Sequence, residues 1–231
     1  MHRNINVETA NGIFHAYVAL PQVVPAPVVI VIQEIFGVTT GIRQIAQGLA
    51  KQGFVAICPD LFWRMQPGLQ LSEHSESDWK KALDFYTRFD VDAGVRDISA
   101  TIAATRHLPE ATNKIGVMGF CLGGLMSFLT AARVGVDAAV EYYGGRTEEF
   151  IQEADNVGSP LLIHLAGEDE FMSKQAQETI RKTAASNSRI EIHTYPGRNH
   201  AFARPAGHHY HHDDATTANA RTLAFFRKHL S

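Results

Sequence analysis

Five short apolar runs rich in β-branched residues recur along the chain: PVVIVIQ from Pro27, FVAICPD from Phe54, KIGVMGF from Lys114, DAAVEYYG from Asp137 and PLLIHLAG from Pro160. Their hydrophobicity is nearly continuous, as a strand covered on both faces requires, and parallel sheets are covered in that way by the helices of their own crossovers. RIEIHTYPG from Arg189 reads as a further strand, and GIFHAYVAL from Gly12 alternates like an edge strand. Helical patterns fall between them. Ile42, Ile45, Ala46 and Leu49 share one face and stop at Gly53, while Val95, Ile98 and Ile102 mark a longer helix ending near Pro109. Others follow Cys121, run from about Ser173 to Ser186, and close the chain from about Thr216 to His229. Strand and helix in alternation predict an α/β fold with a mostly parallel central sheet and helices on both faces.

With 231 residues, 45% of them hydrophobic, the chain can bury one sizeable core, so residues 1–231 are expected to form a single domain. A formal net charge of -3 gives no general attraction to nucleic acid or anionic membrane, which leaves a small molecule as the expected partner. No apolar run approaches the ~20 residues that span a bilayer. MHRNINVETANG lacks the pattern of a signal peptide, so a cytoplasmic location is expected. The only cysteines, Cys58 and Cys121, suggest reduced thiols rather than a disulfide framework. No cofactor or metal is expected, and the chain is read as a monomer or small homo-oligomer. The longest stretch without clear periodicity, Leu61 to Trp79, follows a strand's carboxyl end, where loops either cover a site or make a plain surface excursion.

Gly119-Phe120-Cys121-Leu122-Gly123 has the form Gly-x-nucleophile-x-Gly. Such an elbow lifts one side chain above a sheet on a strained turn between strand and helix. The helix starting at Leu122 aims its N-terminal amides at Cys121, which favours a thiolate. A nucleophile of this kind needs a base and a group to orient the base, in loops after later strands. Asp169 follows the strand from Pro160, and His200 follows the strand from Arg189, giving the order cysteine, acid, histidine. Glu168 and Glu170 are the neighbouring alternatives for the acid. Of the twelve histidines, His164 and His193 fall inside strand patterns and read as satisfied core residues, leaving His200 as base.

Glu34 directly follows the strand from Pro27, in the loop that supplies a second oxyanion-hole amide in this kind of fold. The Ile35 and Leu122 amides are therefore the candidate donors. A carboxylate near a thiol opposes thiolate formation and can accept its proton; the alternative for Glu34 is a solvated loop charge. Cys58, inside VAIC, reads as a core thiol. GHHYHHDD, with His208, His209, His211, His212, Asp213 and Asp214, lacks a recognised zinc spacing and reads as a solvated polar loop.

QEIFGV, CPDLF, GFCLGG, AGEDEF and NHAFAR, in that order and at these separations, resemble the dienelactone hydrolase (carboxymethylenebutenolidase) family of the α/β-hydrolase superfamily, over nearly the whole chain. The resemblance implies the α/β-hydrolase fold, Cys121 as nucleophile, His200 as base, Asp169 as its orienter, and Glu34 as receiver of the thiol proton when substrate enters. Arg204 resembles the family's anchor for a substrate carboxylate; Phe36 and Trp79 are further substrate-binding candidates. Members acting on dienelactone carry a second arginine, and counting from Cys58 that position falls on Trp79. Lys80 or Lys81 would supply charge without a bidentate fork. The implied reaction is hydrolysis of an enol-lactone or activated ester through a thioester acyl-enzyme, with thioesterase or other carboxylesterase activity as the alternative. A non-catalytic binding protein on the same fold is a further reading, against which the intact Cys121, Asp169 and His200 argue. Sulfur narrows the substrate: a thiolate leaves more readily than an alkoxide, so simple alkyl esters and amides are expected to react poorly.

Overall fold

The computed structural model describes residues 1–231. They fall into two compact units, Met1–Gly116 and Val117–Ser231.

The first unit holds strands β1 (His2–Thr9), β2 (Gly12–Ala19), β3 (Ala26–Ile32) and β4 (Val55–Pro59), helices α1 (Thr40–Lys51), α2 (Glu76–Arg88) and α3 (Val91–Thr105), and the start of β5 (Ala111–Phe120). Its strands lie in the order β1-β2-β4-β3; β3 and β4 run parallel, and the β1–β2 and β2–β4 pairs are antiparallel. Val28 to Ile32 and Val55 to Cys58 are wholly buried, which explains their unbroken apolar sequence. Each such aliphatic side chain contributes ~1.5–3 kcal/mol of burial free energy. The alternation in GIFHAYVAL suggests an edge strand, but β2 is paired on both sides and the edge is β1. β1 leaves no signal in the sequence because Val7 is its one fully buried residue. α2 begins inside the stretch that shows no periodicity, since only Ala82 and Phe85 of it are buried; Ser75 caps it by accepting from the Asp78 amide.

The second unit continues from β5 with α4 (Leu122–Arg133), β6 (Ala138–Tyr142), α5 (Thr147–Phe150), a 3₁₀ turn (Ile151–Asn156), β7 (Leu161–Ala166), α6 (Lys174–Ala184), β8 (Ile190–Tyr195) and α7 (His212–Leu230). Strands run β5-β6-β7-β8, with β6, β7 and β8 parallel. Successive residues of β6 point to opposite faces. The Tyr142 hydroxyl reaches Asn219 and Thr222 of α7, while Glu141 meets Thr147 of α5. Helices thus cover both faces here. His164 is fully buried, bonded through Nε2 to Thr222 and through Nδ1 to the Tyr195 hydroxyl. His193, by contrast, sits on the half-exposed β8 and pairs with Glu191 at 2.7 Å, so it is not a core residue. α7 starts at His212, ahead of Thr216, because His211 accepts from the Asp214 amide as N-cap, and Asp213 and Asp214 suit the positive end of the helix. No helix is long and apolar enough to cross a membrane.

Candidate active site

Cys121 joins β5 to α4 with φ 56 and ψ -116, a backbone conformation that costs a non-glycine residue on the order of 1–3 kcal/mol. Hydrogen bonds hold it there. Its amide donates to Tyr142 O at 3.1 Å, and its carbonyl accepts from Gly124, Leu125 and Gly145 at 2.9, 3.2 and 3.1 Å. The turn also needs two bare α-carbons. A Cβ on Gly119 would stand 2.1 Å from the Gly123 carbonyl oxygen, and one on Gly124 would stand 2.7 Å from Gly144 Cα and Tyr142 O. The Leu122 amide, first in α4, has no intrahelical acceptor by helix geometry and points its dipole to the cysteine end.

His200 lies after β8 and Asp169 after β7, and the structure brings them together. His200 Nδ1 donates to Asp169, 2.8 Å from Oδ2 and 3.1 Å from Oδ1, and the two side chains are 5% and 1% exposed. The same carboxylate accepts from the Phe171 amide at 2.9 Å. Asn199 Oδ1 accepts from the amides of both Glu170 and His200, tying the acid loop to the histidine loop. The other acids of AGEDEF are engaged elsewhere: Glu168 pairs with Lys174 at 2.6 Å and Glu170 with His209 at 3.2 Å. Tyr143 and Phe171 each present a ring edge-on to His200, with centroids 5.0 Å away. The buried Nε2 of His200 makes no well-formed hydrogen bond, yet Cys121 is near enough for its charge to act on the ring. Burial alone would lower the His200 pKa, but the Cys121 charge and the Asp169 hydrogen bond outweigh it and raise the value to about 10. The arrangement favours a protonated ring on His200. Arg204 is half-buried in the loop after His200, with its amide bonded to Ala201 O at 2.9 Å.

In the first unit, Glu34, Ile35 and Phe36 follow β3 and are 6%, 5% and 4% exposed, so Glu34 is not a solvated loop charge. Trp79 packs edge-on against Phe36, with centroids 5.1 Å apart, and its indole donates to Glu73 O at 2.7 Å. The stretch Leu61 to Trp79 is well anchored. Gln33 accepts from the Leu61 amide, Asp60 from Phe62 and Gly68, and the Leu71 amide donates to Phe36 O. Arg64 and the indole of Trp63 both reach the buried Asp97. A Cβ on Gly37 would stand 2.0 Å from Leu69 O, so this loop lies directly against the segment after Glu34. Lys80 pairs with Glu76 and Lys81 lies over the Phe85 ring, leaving Trp79 as the residue against Phe36.

Sequence reasoning missed Asn199, Phe171 and Tyr143. Asn199, next to His200, carries an amide suited to loop cross-bonding and was legible in principle. Tyr143 was hidden in an apolar run. No group of three or more His, Cys, Asp or Glu side chains could hold a metal ion.

A model of the dienelactone hydrolase family matches residues 14–230, which include every candidate residue above. The chain belongs to the dienelactone hydrolase family. It is 37% identical over 222 residues to a carboxymethylenebutenolidase of Pseudomonas putida, covering 96% of this chain and 94% of that one. The crystal structure of a putative dienelactone hydrolase from Klebsiella pneumoniae superposes with a TM-score of 0.87 at 28% identity, covering 99% and 98% of the two chains. An α/β hydrolase from a Penicillium species shares the fold alone, with a TM-score of 0.76 at 11% identity over 100% and 99% of the chains. The fold is therefore the α/β-hydrolase fold, and the family makes this chain a carboxylic ester hydrolase of small molecules.

Proposed function

We propose that the enzyme hydrolyses an enol-lactone or similarly activated carboxylic ester, with Cys121 as nucleophile and a thioester acyl-enzyme as intermediate. One observation carries the reading: a strained cysteine at a helix start lies within electrostatic reach of a buried histidine whose far nitrogen is fixed on a buried carboxylate. In this reading Cys121 attacks the carbonyl carbon and the Leu122 amide donates to the developing oxyanion. The lactone C–O bond breaks, the imidazolium of His200 gives its proton to the leaving oxygen, and the enol so formed stays tethered to the acyl group on Cys121, whereas an acyclic activated ester releases its alcohol here. A water that loses its proton to His200 then attacks the thioester carbon, and the thiolate leaves. Asp169 holds the tautomer and balances the imidazolium charge throughout.

The remaining roles rest on the sequence resemblance: Ile35 as the second oxyanion donor, Arg204 as carboxylate anchor, and Phe36 and Trp79 as substrate contacts; Glu34, which the resemblance makes the receiver of the thiol proton, is the alternative to His200 as its first acceptor. The whole chain is proposed to work as one domain.

A second reading, hydrolysis of thioesters or of activated esters with no dienelactone-like carboxylate pattern, is favoured by Trp79 itself. Where the resembling enzymes carry a second arginine, this chain has an indole, and Lys80 and Lys81 are engaged on α2. The test is kcat/KM for an enol-lactone, an aryl ester, a thioester and an ethyl ester of similar shape, repeated with Arg204→Ala. The lactone and activated esters are expected to exceed the ethyl ester by orders of magnitude, and Arg204→Ala to weaken the acidic substrates selectively. Equal turnover of enol-lactone and ethyl ester would refute the leaving-group argument.

A further inference from the structure

Glu141 has no part in the chemistry above, and the middle of an apolar sheet is a costly place for a carboxyl group. It is 0% exposed. Its Oε1 accepts from the Thr147 hydroxyl at 2.8 Å and stands so close to Gly144 that a Cβ there would lie 2.3 Å away. Its Oε2 has no hydrogen-bond partner, and the buried Oε2 of Glu148 has none either. The turn that Glu141 grips is the one on which the elbow rests. Tyr142 O accepts from the Cys121 amide, the Gly145 amide donates to the Cys121 carbonyl, and Gly144 Cα closes against Gly124.

We propose that Glu141 is a positioning residue, a neutral carboxylic acid that clamps the turn after β6 through Thr147 and Gly144 and so holds Cys121 in its strained conformation. The catalytic half of this rests on Cys121 being the nucleophile. Charged neighbours support the neutral form. Glu148 of α5 repels a charge on Glu141; Glu149 is paired with Arg146, and Arg133 of α4 with Glu153. On β7 the residue in register is the apolar Ile163. Burial, with Glu148 adding to it, raises the Glu141 pKa from 4.5 to about 8 against the opposing Thr147 and Gly144 hydrogen bonds.

The sign follows from proton linkage. Between pH 4.5 and about 8 the unfolded carboxyl has lost its proton and the folded one has not, so stability falls as pH rises through that window. Glu141→Gln fixes the neutral donor and acceptor and removes this slope. Unfolding measured across the window should therefore show the wild type losing stability relative to Glu141→Gln; parallel curves would remove the neutral clamp, whatever the nucleophile. Thr147→Val, nearly isosteric, should lower kcat about tenfold at unchanged KM, and Thr147→Ser should restore it. Wild-type kcat in a folded Thr147→Val, or full turnover by Cys121→Ala, would remove the catalytic half.

Discussion

Cys58 and Cys121 are the same chemical group in two surroundings. Cys58 lies in the middle of β4, paired across to Tyr17 of β2, wholly buried, and burial pushes its thiol far above the ordinary range with only a minor opposing pull from Arg43. Cys121 is half-buried at the start of α4, with His200 in electrostatic reach. A thiol becomes a nucleophile through a helix dipole and a base, and neither is present at Cys58. In the proposed mechanism, location on the sheet, inside a strand or at its carboxyl end, separates a packing thiol from a reacting one.

Alanine at each cysteine in turn gives the largest expected contrast. Cys121→Ala is expected to lower kcat/KM for an enol-lactone by roughly 10³–10⁶-fold. Cys58→Ala should leave it within about twofold, since that residue only packs. Similar losses at both sites would erase the distinction. Next in size, Asp169→Asn should lower kcat by roughly 10²–10⁴-fold in initial-rate kinetics, because the ring loses its tautomer and its counter-charge. A pH series then sharpens the picture. His200 has a raised folded-state pKa, so the stability it contributes is full below its ordinary 6.5 and is lost as pH rises through about 10. The Tm difference between wild type and His200→Gln should therefore shrink over that range, and a constant difference would count against the charged ring. Smallest of all, Trp79→Ala should raise KM several-fold at nearly constant kcat, an effect of uniform binding.

The buried half of the fold was plain in the sequence, and the exposed half was not. β3, β4, β6 and β7 announce themselves because both faces are covered and every position must be apolar or nearly so. β1 and α2 do not, since a sheet edge and a helix burying two side chains place almost no demand on composition. At the site, the spacing around Cys121, Asp169 and His200 was legible because each sits where a strand ends. What escaped was side-chain reach: Asn199 bridging two loops, Phe171 and Tyr143 flanking the ring, and Glu141 gripping the turn from within DAAVEYYG. Such contacts depend on which face of a strand a residue takes, and a uniformly apolar run does not reveal that.

The central claim is that Cys121 is acylated during turnover while Cys58 is not. Rapid acid quenching of the enzyme with a slowly hydrolysed activated ester, followed by peptide mass spectrometry, tests it directly. The expected result is one acyl group in thioester linkage on the peptide bearing Cys121, with Cys58 unmodified and no adduct in Cys121→Ala. An acyl group on Cys58 or on an oxygen, or full turnover by Cys121→Ala, would contradict the account.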